Sequence, residues 1–244
     1  MIAVAVAGAA GRMGETVCAA VQGAEDMELV GRADPLLGTT LEELLTAARP
    51  PQVVVDFTRP DTALPNALAC VRAGVHVVVG TTGFDPAPLL ADLRSVARPA
   101  DGLPQANVLI APNFAIGALL MMRFAVEAAR HMAKAEIIEL HHEEKIDAPS
   151  GTAARTAKLI EEATEGGSGP GGSGPAQPRI PIHSVRLPGL VASQEVIFGD
   201  VGQTLTIRHD TIGRESFMPG VLLAIRRVGS LEESLLVGLE QLLF

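Results

Sequence analysis

The chain has no tryptophan and no tyrosine, and its 3% aromatic content rests on seven phenylalanines. With alanine, arginine and proline in excess, this reads as a composition bias and assigns no function. Cysteine is almost as scarce. Cys18 and Cys70 stand far apart, outside any C-x-x-C or zinc spacing, and both fall in helical patterns where a buried thiol is the ordinary state. That excludes a disulfide framework and points to a reduced, cytoplasmic protein. No apolar run reaches membrane length and no basic stretch precedes Ile2–Ala7, so a soluble chain without a membrane partner is expected. Positive charge is also short: 19 Lys and Arg face 28 Asp and Glu, a net charge of -9. This argues against nucleic acid or an anionic membrane as main partner, while a local basic pocket could still hold a small anion. Lysine occurs only at 134, 145 and 158.

What is present is a globular composition: 244 residues, 48% hydrophobic and 19% charged, enough for one large or two small domains. Ile2–Ala7 has the continuous apolar character of a buried parallel strand, and Gly8-Ala9-Ala10-Gly11-Arg12-Met13-Gly14 follows at once, opening a helical pattern. Glycines at such a turn let the backbone approach a pyrophosphate, which then sits on the helix N-terminus. A second strand, Met27–Ala33, ends in Asp34, about 20 residues past the glycines, where a carboxylate suits ribose hydroxyls.

The alternation continues through strands at 53–58, 75–79 and 107–111, with helices at 61–73 and 86–97, predicting a Rossmann-like, doubly wound parallel sheet. Ligands of such sheets lie outside the carboxyl ends of the strands, where Gly8–Gly14, Asp34, Phe57-Thr58, Gly80-Thr81-Thr82 and Asn113-Phe114 all fall. After Phe114 the pattern changes. A long helix at 116–132 is followed by strands at 182–187, 194–198 and 204–209, largely without helices between them, which predicts a second α+β domain with a mixed or antiparallel sheet. Residues 1–113 and 214–244 are assigned to dinucleotide binding, and 114–213 to the second domain. Within the second, residues 165–178 form a Gly/Ser/Pro-rich stretch expected to be a flexible loop. Residues 217–228 return to a helical pattern, and 235–244 form an apolar terminal segment.

The chemistry concentrates in E-L-H-H-E-E-K-I-D-A-P-S-G-T, residues 139–152. In an extended chain His141, Glu143 and Lys145 share a face, and on a helix His141 and Lys145 meet at i,i+4. Either geometry aims an imidazole and an ammonium at one substrate. Pro149 blocks a continuous helix, and Ser150-Gly151-Thr152 supplies a cap and a helix N-terminus that attracts carboxylates. A solvated strand end is the bland alternative. A metal site is not expected, because H-E-x-x-H is absent and alternation sends adjacent histidines to opposite faces.

These stretches together resemble the dihydrodipicolinate reductase (4-hydroxy-tetrahydrodipicolinate reductase) family. G-A-A-G-R-M-G at 8–14, D-F-T-R-P at 56–60, G-T-T-G-F at 80–84, A-P-N-F at 111–114, the segment 139–153, H-S-V-R-L-P-G at 183–189 and Q-E-V-I-F-G at 194–199 carry the resemblance over nearly the full length. It implies NADH- or NADPH-dependent reduction of 4-hydroxy-tetrahydrodipicolinate to tetrahydrodipicolinate, with loss of water, in the diaminopimelate route to lysine. By matching position His141 is the proton donor/acceptor and Lys145 the proton donor. His142, Ser150, Gly151, Thr152 and Arg214, the last in H-D-T-I-G-R-E-S-F, are assigned to the dicarboxylate. The cofactor is assigned to Gly8, Ala9, Ala10, Gly11, Arg12, Met13, Asp34, Gly80, Thr81, Thr82, Ala111, Pro112, Asn113 and Phe114. A homotetramer formed through the second domain's sheet is also implied.

The family pattern can follow the ribose-binding acid with an arginine suited to a 2′-phosphate. Here Pro35 follows Asp34, with Arg32 and Arg12 nearby, so the choice between NADH and NADPH stays open. A non-catalytic dinucleotide sensor explains the glycine turn but leaves His141 and Lys145 without a role. Another two-domain NAD(P)-dependent dehydrogenase would call for a nucleophilic cysteine or a different acid/base set.

Overall fold

The computed structural model describes residues 1–95, 106–165 and 180–244. Its strands are β1 (Ile2–Ala7), β2 (Met27–Ala33), β3 (Val53–Asp56), β4 (His76–Val79), β5 (Val108–Ile110), β6 (Lys134–His141), β7 (Ile182–Arg186), β8 (Ala192–Asp200), β9 (Gln203–Thr211) and β10 (Leu235–Val237). The helices are α1 (Arg12–Gln22), α2 (Leu41–Leu45), α3 (Pro60–Arg72), α4 (Ala87–Ser95), α5 (Ile116–Ala129), α6 (Gly151–Glu165) and α7 (Met218–Val228). They form two compact units, Met1–Phe114 with Phe217–Phe244, and Ala115–Ser216. Phe114 closes the first unit because its ring packs on Phe57, with centroids 5.7 Å apart. The Gly/Ser/Pro-rich stretch lies outside the described residues, apart from its first position.

The first unit holds a six-stranded parallel sheet in the order β10-β5-β4-β3-β1-β2. Valines and alanines of β1, β3 and β4 are buried on both faces, which is why these strands read as continuous apolar runs rather than alternating ones. Register aligns the carboxyl ends: Ala7 pairs with Ala33 and with Asp56, Asp56 with Val79, and Val79 with Ile110. All the turns assigned to the cofactor therefore leave one edge of the sheet. The chain reverses direction between β1 and β3, the switch point where such sheets take their ligands.

Two details differ from the sequence reading. β3 ends at Asp56 rather than Thr58, because the Asp56 carboxylate accepts the Thr58 backbone N–H (3.0 Å) and hydroxyl (2.7 Å) and turns the chain. The terminal segment contributes β10, an added edge strand, whose three residues are too few for a periodicity to show. At the opposite edge of the sheet, the Asn107 backbone N–H donates to His76 Nδ1 (3.0 Å) and its side chain to the last carbonyls of α7 at Val228 (2.9 Å).

The second unit holds a mixed sheet in the order β7-β6-β8-β9, with β7 parallel to β6 and the other pairs antiparallel. Its core side includes Ile137, Val196 and Phe198, all fully buried, and α5 and α6 pack on this sheet. On β6 the inward row is Ala135, Ile137, Glu139 and His141, two residues apart as a pleated strand requires. The last two members of that apolar row are a carboxylate and an imidazole.

Candidate active site

In the first unit the candidate residues gather at the glycine turn. Gly8 has φ +77°, and a Cβ there would stand 2.6 Å from the Phe57 carbonyl oxygen, so both the backbone conformation and the close approach require glycine. A Cβ at Gly14 would enter the backbone of Gly8, which lets the first turn of α1 press against the loop. Gly11 caps α1 without any side-chain hydrogen bond, leaving the N-terminal N–H groups to other acceptors. Arg12 is exposed on this turn and Met13 half-buried. Asp34 lies beside them: its carboxylate accepts the Ala10 N–H (3.2 Å) and the Leu36 N–H (2.9 Å). Arg32 reaches the Ala9 carbonyl at 3.5 Å.

Asp56 organises the neighbouring loops, a role the sequence reading missed. It is fully buried and accepts from Thr58, from Asn66 on α3 (2.8 Å) and from the Thr81 hydroxyl (3.1 Å). The Thr81 side chain is thereby committed to the fold, and what it can present to a ligand is backbone. Gly80 packs flat against the Phe57 ring, Thr82 and Pro112 are exposed, and Ala111 is fixed by its N–H to the Val79 carbonyl (3.0 Å). Asn113 is half-buried and Phe114 buried. A turn that tolerates no Cβ, an uncapped helix start and a carboxylate at the end of β2 fit a dinucleotide: N–H groups for the pyrophosphate, Asp34 for the ribose. Cys70, below this sheet, is no nucleophile, since burial, with Asp56 adding, pushes its thiol up to about 12.

In the second unit the candidate residues lie at the end of β6. His141 Nδ1 donates to Glu139 Oε2 in a close contact; a carboxylate has no hydrogen to give, so Nδ1 carries the proton and Nε2 is the atom left to exchange one. Glu139 is fully buried and pairs with Arg186 of β7 at 2.7 and 2.9 Å, a two-pronged contact. Arg186 also holds the chain beyond His141, donating to the Asp147 carbonyl (2.7 Å) and the Lys145 carbonyl (3.3 Å). Burial alone would push the Glu139 carboxyl up, but Arg186, Ser184 and His141 outweigh it and hold it below the usual range. Burial pushes the His141 imidazole down; Glu139 draws it partly back, and Lys145 and Arg186 push it down again.

The path from His141 to Lys145 is neither extended nor helical, which corrects both geometries expected from sequence. The strand stops at His141, and the Lys145 N–H closes a turn on the His142 carbonyl at 3.1 Å. The turn still brings the two groups within electrostatic reach, but it leaves His142, Glu143 and Glu144 exposed. The Lys145 ammonium rests on Asp147 at 2.7 and 2.8 Å. Ser150 is buried as the cap of α6, its hydroxyl accepting from Ala153 (3.2 Å) and its own N–H meeting Glu139 (3.3 Å). The other first-turn N–H groups are those of Gly151 and Thr152. A Cβ on Gly151 would meet nothing within 4 Å, so its outer face is open. Arg214 sits exposed in a short 3-10 turn, Arg214–Phe217, outside the Glu139 network. Glu139 and Arg186 stood inside stretches that the sequence reading quoted, at 139–152 and 183–189, but neither was assigned a role there.

Comparison with known proteins decides the family. Residues 2–114 match the family described as Dihydrodipicolinate reductase, N-terminus, and residues 117–243 match Dihydrodipicolinate reductase, C-terminus. The chain belongs to the dihydrodipicolinate reductase family. It is 50% identical over 254 residues to the 4-hydroxy-tetrahydrodipicolinate reductase of Thermobifida fusca, covering 100% of this chain and 99% of that one. It is also 50% identical over 249 residues to the enzyme of the same name from Mycolicibacterium smegmatis, with 98% of each chain covered. Among solved structures, the dipicolinate-bound dihydrodipicolinate reductase of Paenisporosarcina sp. TG-14 matches with a TM-score of 0.80 and 38% identity over 99% of both chains. A probable dehydrogenase from Thermotoga maritima, at 14% identity and TM-score 0.60, shares the fold alone. The reductase family uses NADH or NADPH, a cofactor class that the geometry of the glycine turn fits.

Proposed function

We propose that this chain reduces 4-hydroxy-tetrahydrodipicolinate to tetrahydrodipicolinate, with release of water, in the diaminopimelate route to lysine. The observation that carries the reading is the end of β6, where a histidine with one free ring nitrogen, a lysine and a helix start stand together in a chain that matches these reductases over its whole length. A reduced nicotinamide, when bound at the glycine turn, supplies the hydride. The protein's own task is then charge and proton management. Loss of the 4-hydroxyl as water leaves an unsaturated imine dicarboxylate, and hydride addition at C4 leaves electron density on an enamine that must be protonated. His141 Nε2 and Lys145 Nζ are the donors for that proton, and their positive charge stabilises the density as it develops. The α6 start at Gly151 and Thr152 receives a substrate carboxylate, with His142 and Arg214 as further cationic or hydrogen-bonding contacts.

Asp34 faces the ribose, and the first unit serves the cofactor while the second serves the substrate and self-association. The assembly is a homotetramer built through the β7-β6-β8-β9 sheet, whose edge strand β9 leaves Leu205 half exposed. Among the described residues no helix is long and apolar enough to cross a membrane, and we place the reaction in the cytoplasm. The deciding experiment follows nicotinamide oxidation with freshly generated substrate, set against 2-oxo-acid and aldehyde analogues. Turnover with the cyclic substrate alone supports the assignment. Cofactor binding without turnover on any of them would instead identify a dinucleotide sensor.

A further inference from the structure

Glu139 Oε2 is shared. It receives His141 Nδ1 and, at 2.9 Å, Arg186 Nη1, while Oε1 receives Arg186 Nη2 at 2.7 Å and the Ser150 N–H at 3.3 Å. Gln194, opposite Glu139 on β8, donates from its amide nitrogen to Thr156 at 2.8 Å. We propose that Arg186 is a positioning residue that sets the proton affinity of His141 through the carboxylate they share. The inference rests on the reductase reading, in which His141 exchanges a proton with the substrate.

A carboxylate alone beside an imidazole stabilises the imidazolium and makes it hold its proton. With Arg186 locked onto both oxygens, the carboxylate and guanidinium together carry no net charge, and their pull on the imidazolium is largely cancelled. The remaining groups around the ring work against protonation. They are Lys145 in the following turn, whose ammonium is partly balanced by Asp147, Arg186 itself on β7, and burial. Opposite His141 on β8 stands Ala192, and the residue before α6, Ser150, meets the shared carboxylate; neither is charged. A histidine poised this way releases its proton readily, which suits a donor to an enamine, yet Glu139 keeps Nδ1 protonated so that Nε2 is always the exchanging atom. Arg186 also grips the Lys145 and Asp147 carbonyls, so the same side chain fixes where the second proton donor stands.

The test reads His141 directly. With histidine labelled by carbon-13 in the full chain, and the His141 resonance assigned by its loss in His141→Asn, the titration midpoint is followed by NMR in the parent, Arg186→Met and Glu139→Gln. Arg186→Met is expected to raise the midpoint by about one pH unit, since the freed carboxylate then faces the imidazolium alone. Glu139→Gln is expected to lower it, because an unneutralised guanidinium remains beside the ring. The His141-dependent limb of the turnover profile should move in the same two directions. Arg186→Lys, which keeps the charge but loses the fork, should shift the midpoint upward by less than Arg186→Met, and it decides the matter if Arg186→Met does not fold. Midpoints that stay put, or that move together in Arg186→Met and Glu139→Gln, overturn the proposal. Because the titration needs no substrate, a parent enzyme that titrates as described but does not turn over would count against the reductase reading and not against this one.

Discussion

The glycine turn and the end of β6 are built in opposite ways. Gly8–Gly14 is built from what side chains leave out: backbone N–H groups, a positive φ and space that a Cβ would fill. Glu139–Gly151 is built from charged side chains that fix one another, with a buried carboxylate between an imidazole and a guanidinium. The first design is local, since its parts lie within seven consecutive residues. The second needs two strands that are far apart in sequence, because Glu139 and Arg186 meet only across the parallel pairing of β6 and β7.

The contrast can be broken from either side. Replacing His141 by Gln or Lys145 by Ala should lower turnover by on the order of 10²-fold or more, as loss of a positioned proton donor does, with cofactor affinity unchanged. Steady-state and direct binding measurements on the two variants check this, and near-normal turnover in both would remove the proton-donor assignment. Gly8→Ala should do the reverse. A left-handed backbone costs a non-glycine residue about 1–2 kcal/mol before the encounter with the Phe57 carbonyl is counted, so cofactor affinity should fall about tenfold or more. His141 should still titrate normally in that variant.

A smaller effect sharpens the comparison inside the cofactor half. In the proposed role, Asp34 would accept hydrogen bonds from a ribose diol and repel a 2′-phosphate, with Arg32 and Arg12 offsetting part of that repulsion. Use of both cofactors is expected, with NADH preferred by no more than roughly tenfold, about 1.4 kcal/mol. Asp34→Ala should move the kcat/KM ratio toward NADPH; an unchanged ratio means the carboxylate does not touch the ribose.

The smallest effect concerns pH. Burial lowers the proton affinity of His76, His141 and His209 in the folded chain. The unfolded chain therefore binds more protons than the folded one in the window between these lowered values and about 6.5, so stability rises with pH across that window and levels off above it. Urea midpoints should increase accordingly. His76→Gln should show a shallower rise, because protonation of His76 in the parent removes the acceptor for the Asn107 N–H.

Much of the first unit was legible because its signals are local. β1 and β2 match the expected strands end to end, since β1 is a continuous apolar run that stops at Gly8 and β2 stops at Asp34. β10 was not legible, because three apolar residues become a strand only when β5 offers its open edge. In the site, His141, Lys145 and the Ser150 cap were visible as residue types in a short stretch. Their geometry was not, because turn, strand and helix all place His141 and Lys145 within reach of each other.

Local residue patterns were thus enough to indicate the parallel sheet and the glycine turn, for each depends on neighbours a few positions apart, while the family was read from a resemblance in motifs spread along nearly the whole chain. Only the tertiary structure decided that Asp56 ties together the loops after β3 and β4 and helix α3, that the Ser150 N–H meets Glu139, and that Glu139 joins His141 to Arg186. Those three facts share a cause. A buried charge is tolerable only when fully paired, and its partners are supplied by strand register and packing rather than by distance along the chain.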